Sequence, residues 1–148
     1  MNSKKSNKII IIPLGGLGNR FKNSKYNLPK PLINVLGNPI IYWLLDNLDL
    51  NDIEYVYIPY NIELRKFRFE NLLMKDFPKI KFKFYCIEFP TKGAAETIKI
   101  ALDFLNEKQD KNILCIDSDN FYTENFISSW NGDNMVLTFE DHNRDPIF

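Results

Sequence analysis

Three groups of residues carry most of the chemistry open to this chain. The first is Gly15-Gly16-Leu17-Gly18-Asn19-Arg20, followed after a polar stretch by Lys30 set between Pro29 and Pro31. Glycines let a loop bring its backbone N–H groups close to a ligand, and clusters of such amides suit phosphate. Arg20 and Lys30 add positive charge on the same side. The second group is Asp117-Ser118-Asp119-Asn120. In an extended chain Asp117 and Asp119 point to one side, about 6.5–7 Å apart along the strand. Two carboxylates at that separation repel by roughly 2–3 kcal/mol at an effective dielectric of about 20. A bound Mg2+ turns that cost into an attraction, and Mg2+ takes one or two carboxylates together with phosphate oxygens and water. The third group, Thr91-Lys92-Gly93-Ala94-Ala95-Glu96-Thr97, has a glycine and two alanines that permit close approach of a flat group such as a base. The combined expectation is a phosphate-rich ligand with a divalent metal.

Each group also has a plainer reading. The glycines can serve a strand-to-loop turn, Asp117 can cap a backbone amide, and residues 91–97 can be a helix start with Glu96 favouring the helix dipole. Two common phosphate cradles are excluded. No G-x-x-x-x-G-K-[ST] string occurs, and Gly16-Leu17-Gly18 is followed by Asn19-Arg20-Phe21, without the third glycine of a dinucleotide fingerprint.

The elements that must position these groups follow from hydrophobic pattern. Ile9 to Ile12 is a run of β-branched residues with no polar side chain on either face, as in a strand buried on both sides. Strand one is expected over residues 8–13, and residues 15–31 form a loop long enough to be functional. Residues 32–36 form a short extended piece, Gly37-Asn38 a turn, and Pro39 opens a helix carrying Ile40, Trp43, Leu44 and Leu48. Further strands are expected over 55–58, 81–87, 113–116 and 134–139. Helices are expected over 63–76, with Leu64, Phe67, Leu72 and Phe77 inward, over 93–107, and near 124–128. Trp43, Phe67 and Phe104 read as core. Alternating strands and helices predict an α/β, mostly parallel sheet with helices on both faces. The glycine loop and the Asp pair then both follow strand ends and share one rim, where ligands of such sheets bind.

Composition sets outer limits. With 148 residues, 45% hydrophobic and 14% aromatic, the chain suits one domain over 1–148, with polar residues 1–7 as a frayed tail. A formal net charge of zero gives no general attraction to nucleic acid or anionic lipid. No apolar segment long enough to span a membrane and no signal-peptide pattern occur, so the expected compartment is the cytoplasm. Cys86 and Cys115 read as buried, reduced thiols. His142, the one histidine, reads as a surface residue.

Gly15-Gly16-Leu17-Gly18-Asn19-Arg20-Phe21 with Pro29-Lys30-Pro31-Leu32 resembles the G-G-x-G-x-R-[LF]…P-K-P signature of sugar-phosphate nucleotidyltransferases. Asp117-Ser118-Asp119-Asn120 resembles their metal-binding G-D-[NT] segment, and Lys92-Gly93-Ala94-Ala95 their base-pocket helix start. The resemblance extends from Ile9 to about Phe139 and implies the nucleotide-diphospho-sugar transferase (GT-A-like) variant of the Rossmann fold. Carried onto this sequence, it implies that the amides of Leu14, Gly15, Gly16, Leu17, Gly18 and Asn19 cradle a triphosphate. Arg20 would hold the β and γ phosphates, and Lys30 would neutralise charge at the α-phosphorus. Asp119, with Asp117, would bind Mg2+, and Glu88 and Gly93 would contact the base. The implied partners are a nucleoside triphosphate and a phosphorylated sugar or alcohol, and the implied product feeds surface polysaccharide synthesis.

The sequence departs from that pattern at Leu14, Asn19 and Ser118, where the family usually has alanine, threonine and glycine. Members generally run well beyond 200 residues, so the chain is expected to be the N-terminal part of such an enzyme, without its acceptor-binding part. Two other readings stay open at this level: a glycosyltransferase of the same fold that holds a sugar nucleotide with Asp117-x-Asp119, and a non-catalytic nucleotide-binding fragment. Oligomeric state is left open.

Overall fold

Ile9, Ile10, Ile11 and Ile12 are fully shielded from solvent, and the rest of the sheet is built outward from them. The computed structural model describes residues 7–16, 28–105, 111–133, 135 and 137. Strand β1, Lys8–Ile11, is followed by a small antiparallel hairpin of β2, Asn34–Val35, and β3, Asn38–Pro39. Three longer strands come next: β4, Tyr55–Asn61; β5, Phe82–Ile87; and β6, Asn112–Cys115. The main sheet is parallel, with the order β5-β4-β1-β6.

Successive side chains of a strand point to opposite faces, so an all-apolar strand needs cover on both. Helices α1, Ile40–Asn47, α2, Phe69–Asp76, and the short α4, Phe126–Ser129, lie on one face. There Leu44, Leu45, Leu73 and Ile127 pack with Ile10, Ile12, Val56 and Ile58. Helix α3, Ala94–Phe104, covers the other face, where Ala101 packs with Ile9, Ile11, Tyr55 and Tyr57. The Tyr57 hydroxyl donates to the Ala101 carbonyl at 3.2 Å. Burial, then the neighbouring Tyr85, pushes its pKa up to about 12, which keeps that donor protonated. The expected α/β sheet with helices on both faces is therefore present.

From β1 the chain moves to β4 and β5 on one side, then crosses through α3 to β6 on the other. Connections diverge between β1 and β6, and a crevice outside the carboxyl ends of the strands is expected at such a point.

Several local expectations are corrected. β4 does not stop at residue 58; it continues through Pro59 to Asn61. The expected helix over 63–76 is two pieces, a 3-10 segment Ile62–Phe67 and then α2, because Arg68 between them adopts a left-handed conformation (φ 52°). That break resets the helical phase, so Phe69 and Leu73 are buried with Leu64, while Leu72 is exposed. Residues 30–32 form a 3-10 turn, and the extended piece after it is the β2–β3 hairpin. The hairpin turn is made by Leu36 (φ 50°) and Gly37 (φ 93°). Two left-handed residues are what a two-residue hairpin loop of this type requires. Phe104 is exposed and stacks on Tyr85, and Trp43 is half-buried, donating from its indole nitrogen to the Val35 carbonyl at 2.7 Å. Both cysteines are free thiols; Cys86 is half-buried, and Cys115, on β6 at one edge of the described sheet, is exposed. Most of the expected last strand over 134–139, and His142, lie outside the described residues. Among the described residues no helix is long and apolar enough to cross a membrane.

Candidate active site

A cleft of about 420 Å3 opens at the carboxyl end of the sheet. Its lining comes from five separate places in the sequence, one of them Asn61, Glu63 and Leu64 at the end of β4 and just after it. Leu14, Gly15 and Gly16 follow β1, Lys30 lies between Pro29 and Pro31, Gly93 and Ala94 start α3, and Asp117, Ser118 and Asp119 follow β6. The three groups singled out by residue type thus converge on one space. Leu17, Gly18, Asn19 and Arg20 lie outside the described residues. Glu88 is exposed one residue beyond β5 and is not among the residues that line the cleft.

The Lys30 ammonium donates to Asp119 Oδ2, joining side chains that stand 89 positions apart in sequence. A hydrogen-bonded ion pair between the proline-flanked lysine and the loop after β6 puts the cleft's principal cation and anion side by side. Among the described residues, no group of three or more His, Cys, Asp and Glu is placed to hold a metal. Two carboxylates from one loop, open to the cleft, do match what Mg2+ asks of a protein when phosphate and water supply its other oxygens. The donor set fits a metal that arrives with its phosphate ligand, not one held in an all-protein cage.

The loop after β1 is fastened on two sides. On one side Leu14 N donates to the Pro59 carbonyl at 2.8 Å, and Asn61 N donates to the Leu14 carbonyl at 3.0 Å. The Asn61 side chain reaches Gly15 O, with Nδ2 at 3.4 Å. On the other side lie Thr91 and Thr97, whose hydroxyls are 2.7 Å apart, while the Thr97 hydroxyl also donates to Gly93 O at 3.1 Å. Glu96 accepts the Lys92 N–H at 2.5 Å, closing the start of α3. Asn61 and Thr97 are the buried polar residues of the described chain, and both line the cleft. Asn61 carries no mark in the sequence, and Thr97, although it ends the 91–97 stretch, has no role of its own there.

Gly15 and Gly16 play different parts. A Cβ on Gly16 would meet nothing within 4 Å, so its backbone borders open cleft. A Cβ on Gly15 would lie 2.6 Å from the Thr91 hydroxyl and closer still to that of Thr97. Gly15→Ala should therefore lower stability by about 1–3 kcal/mol, the usual cost of overpacking. In a chain of this size that corresponds to a fall of roughly 3–10 °C in Tm, readable by thermal unfolding followed by circular dichroism. Adding Thr97→Ala, which removes the clashing hydroxyl, should restore part of the loss. An unchanged Tm for Gly15→Ala would show that the threonine pair does not confine this loop.

The sequence profile of the nucleotidyl transferase family matches residues 9–144. No protein of curated function matches the chain in sequence. Many solved structures share the fold, three of them as follows. An inositol-1-phosphate CTP transferase from T. maritima is 13% identical with a TM-score of 0.61, the match covering 80% of this chain and 45% of that one. HddC from Yersinia pseudotuberculosis, complexed with GMP-PN, is 21% identical with a TM-score of 0.58, over 82% and 52%. A putative glucose-1-phosphate thymidylyltransferase from Bacillus anthracis is 20% identical with a TM-score of 0.61, over 82% and 48%. The chain spans about half the length of these structures.

Proposed function

The chain belongs to the nucleotidyl transferase family, and from that premise we propose that its cleft binds a nucleoside triphosphate for transfer of the nucleotidyl group to a phosphorylated sugar or related alcohol. The observation that carries this reading is the pairing of Lys30 with Asp119 across a cleft floored by Gly15 and Gly16. A glycosyltransferase holding a sugar nucleotide through Asp117 and Asp119 has a use for the acids but not for the lysine that faces them.

In the proposed reaction a phosphate oxygen of the acceptor attacks the α-phosphorus, and the bond from that phosphorus to the bridging oxygen of pyrophosphate breaks. Little of this is covalent work for the protein; positioning and charge stabilisation carry it. The amides of the loop from Gly15 to Asn19 bind phosphate oxygens, with Arg20 on the β and γ phosphates and Lys30 beside the α-phosphate. The expected part of the Leu14 amide is dropped, because its N–H is taken up by the Pro59 carbonyl. Gly93 and the start of α3, lacking bulk at the cleft wall, admit the base. Asp117 and Asp119 would hold Mg2+, which when bound supplies positive charge to the phosphate oxygens and the departing pyrophosphate. The protein's place would then be in nucleotide-sugar synthesis, including that for surface polysaccharide, in the cytoplasm.

The direct test is thermal unfolding with Mg2+ and, in turn, ATP, CTP, GTP, UTP and dTTP. A ligand at a hundredfold excess over its Kd stabilises by about 2.7 kcal/mol, which for this chain is a rise of roughly 5–10 °C. One nucleotide should stand out and thereby identify the base. If none raises Tm in the presence of Mg2+, the triphosphate reading is wrong.

A further inference from the structure

Asn61 ends a strand whose six preceding residues, Tyr55 to Tyr60, contain no carboxamide, charge or aliphatic hydroxyl. At 3% exposure, its carboxamide must find partners inside the protein or forfeit about 1–3 kcal/mol of solvation. It finds two. Oδ1 accepts the Glu63 N–H at 3.0 Å and so caps the Ile62–Phe67 turn, while Nδ2 donates to Gly15 O at 3.4 Å. One partner is a donor and the other an acceptor, so only this orientation of the amide serves both. Its backbone N–H meanwhile holds Leu14 O, one residue earlier in the same loop.

A trans peptide places its carbonyl and N–H antiparallel in one plane, and no cis peptide occurs among the described residues. Whatever fixes the Gly15 oxygen therefore fixes the direction of the Gly16 N–H. Gly16 has no side chain to do this, and a Cβ there would meet open space. We infer that Asn61 is a positioning residue of the site: by holding Gly15 O it sets the Gly15–Gly16 peptide plane, and hence the aim of the Gly16 amide at the phosphate-bearing ligand. This rests on the triphosphate reading for its use, but the peptide geometry stands apart from it. At 3.4 Å the bond is long, so its contribution is to direction more than to stability.

Two variants separate the roles. Asn61→Ser keeps an oxygen suited to cap the following turn but cannot reach Gly15 O. Asn61→Asp keeps the shape and the capping oxygen while replacing the donor with a second acceptor, and it carries the same comparison should the serine variant not fold. Binding of inorganic tripolyphosphate and of each common nucleoside triphosphate, with Mg2+, is measured by isothermal titration calorimetry. The ligand-free Gly16 amide is followed by 1H–15N NMR and hydrogen exchange. Loss of one hydrogen bond predicts affinity about three- to tenfold weaker in Asn61→Ser, a larger loss in Asn61→Asp, and a shifted, faster-exchanging Gly16 amide in both. Wild-type affinity in Asn61→Ser, or an unmoved Gly16 amide, overturns the inference. If the wild-type protein binds none of the probes, the triphosphate reading fails, and the Gly16 amide still decides whether Asn61 sets the peptide.

Discussion

Asp119→Ala is expected to remove Mg2+-dependent pyrophosphate release, a fall on the order of 10³-fold, while leaving the fold in place. Its side chain is 42% exposed, and the contact it gives up is the ion pair with Lys30, a partner itself 32% exposed. Pairs so open to solvent contribute at most about 1 kcal/mol, so Tm should move little. The loss at the transition state is larger, because a metal on a transferring phosphoryl group supplies several kcal/mol of charge stabilisation, and each ~1.4 kcal/mol is a factor of ten in rate. Binding separates this from general damage. With one negative charge gone from the cleft, metal-free triphosphate should bind at least as well as to the wild type, and only the gain on adding Mg2+ should disappear. Calorimetric titration with and without Mg2+ reads that difference. Turnover within tenfold of wild type, or an unchanged Mg2+ dependence of binding, would sink the assignment.

The fold was legible where one physical requirement spoke alone. Ile9 to Ile12 has no polar residue, so burial on both faces was the only way to place it, and from that followed the layers of helices on either side. Legibility failed where tertiary contacts outvoted local preference. β4 outruns the expected 55–58 through Pro59, a residue that lacks the N–H a central strand uses. The strand continues because the Pro59 carbonyl is still bonded, to Leu14 N, and because the loop after β1 lies alongside. The break at Arg68 left no sequence mark either; a non-glycine residue with positive φ is uncommon, and no glycine or proline stands there.

The site divides in the same way. Glycines, Lys30 and the Asp pair announce themselves by type, and strand order brings them to one cleft. Asn61 does not, since an Asn closing a proline-containing strand is ordinary in sequence, and Thr97, within the 91–97 stretch, has no role readable from its type. Their part exists only once β4 runs on past Pro59 and α3 starts beside Gly15. Glu88, placed with the base by resemblance, is one residue past β5 and outside the cleft lining, whereas Thr97, in α3, is within it.

Lys30→Ala should act in opposite directions on the two ligands of the cleft. In the ligand-free protein the ammonium compensates the Asp119 carboxylate, yet the proposed chemistry asks it to face the α-phosphate and asks Asp119 to face a metal. Both demands are met if the two side chains exchange partners when metal and triphosphate enter together. Removing the ammonium then leaves Asp119 uncompensated, so affinity for a free divalent cation such as Mn2+ should rise by roughly three- to tenfold, a modest gain because the pair is partly solvated. Triphosphate affinity should fall, and turnover should drop by about 10²- to 10³-fold, the usual cost of deleting one group that stabilises developing charge. Lys30→Arg should recover little, since a planar guanidinium is a poor substitute for a compact point charge flanked by two prolines. In the Lys30→Ala/Asp119→Ala double variant the gain in metal affinity should vanish, because it depends on the carboxylate. Electron paramagnetic resonance of Mn2+ gives the metal affinity directly and without turnover. A Lys30→Ala protein that binds Mn2+ no better than wild type would break the link between the ion pair and the metal, even if its activity were lost.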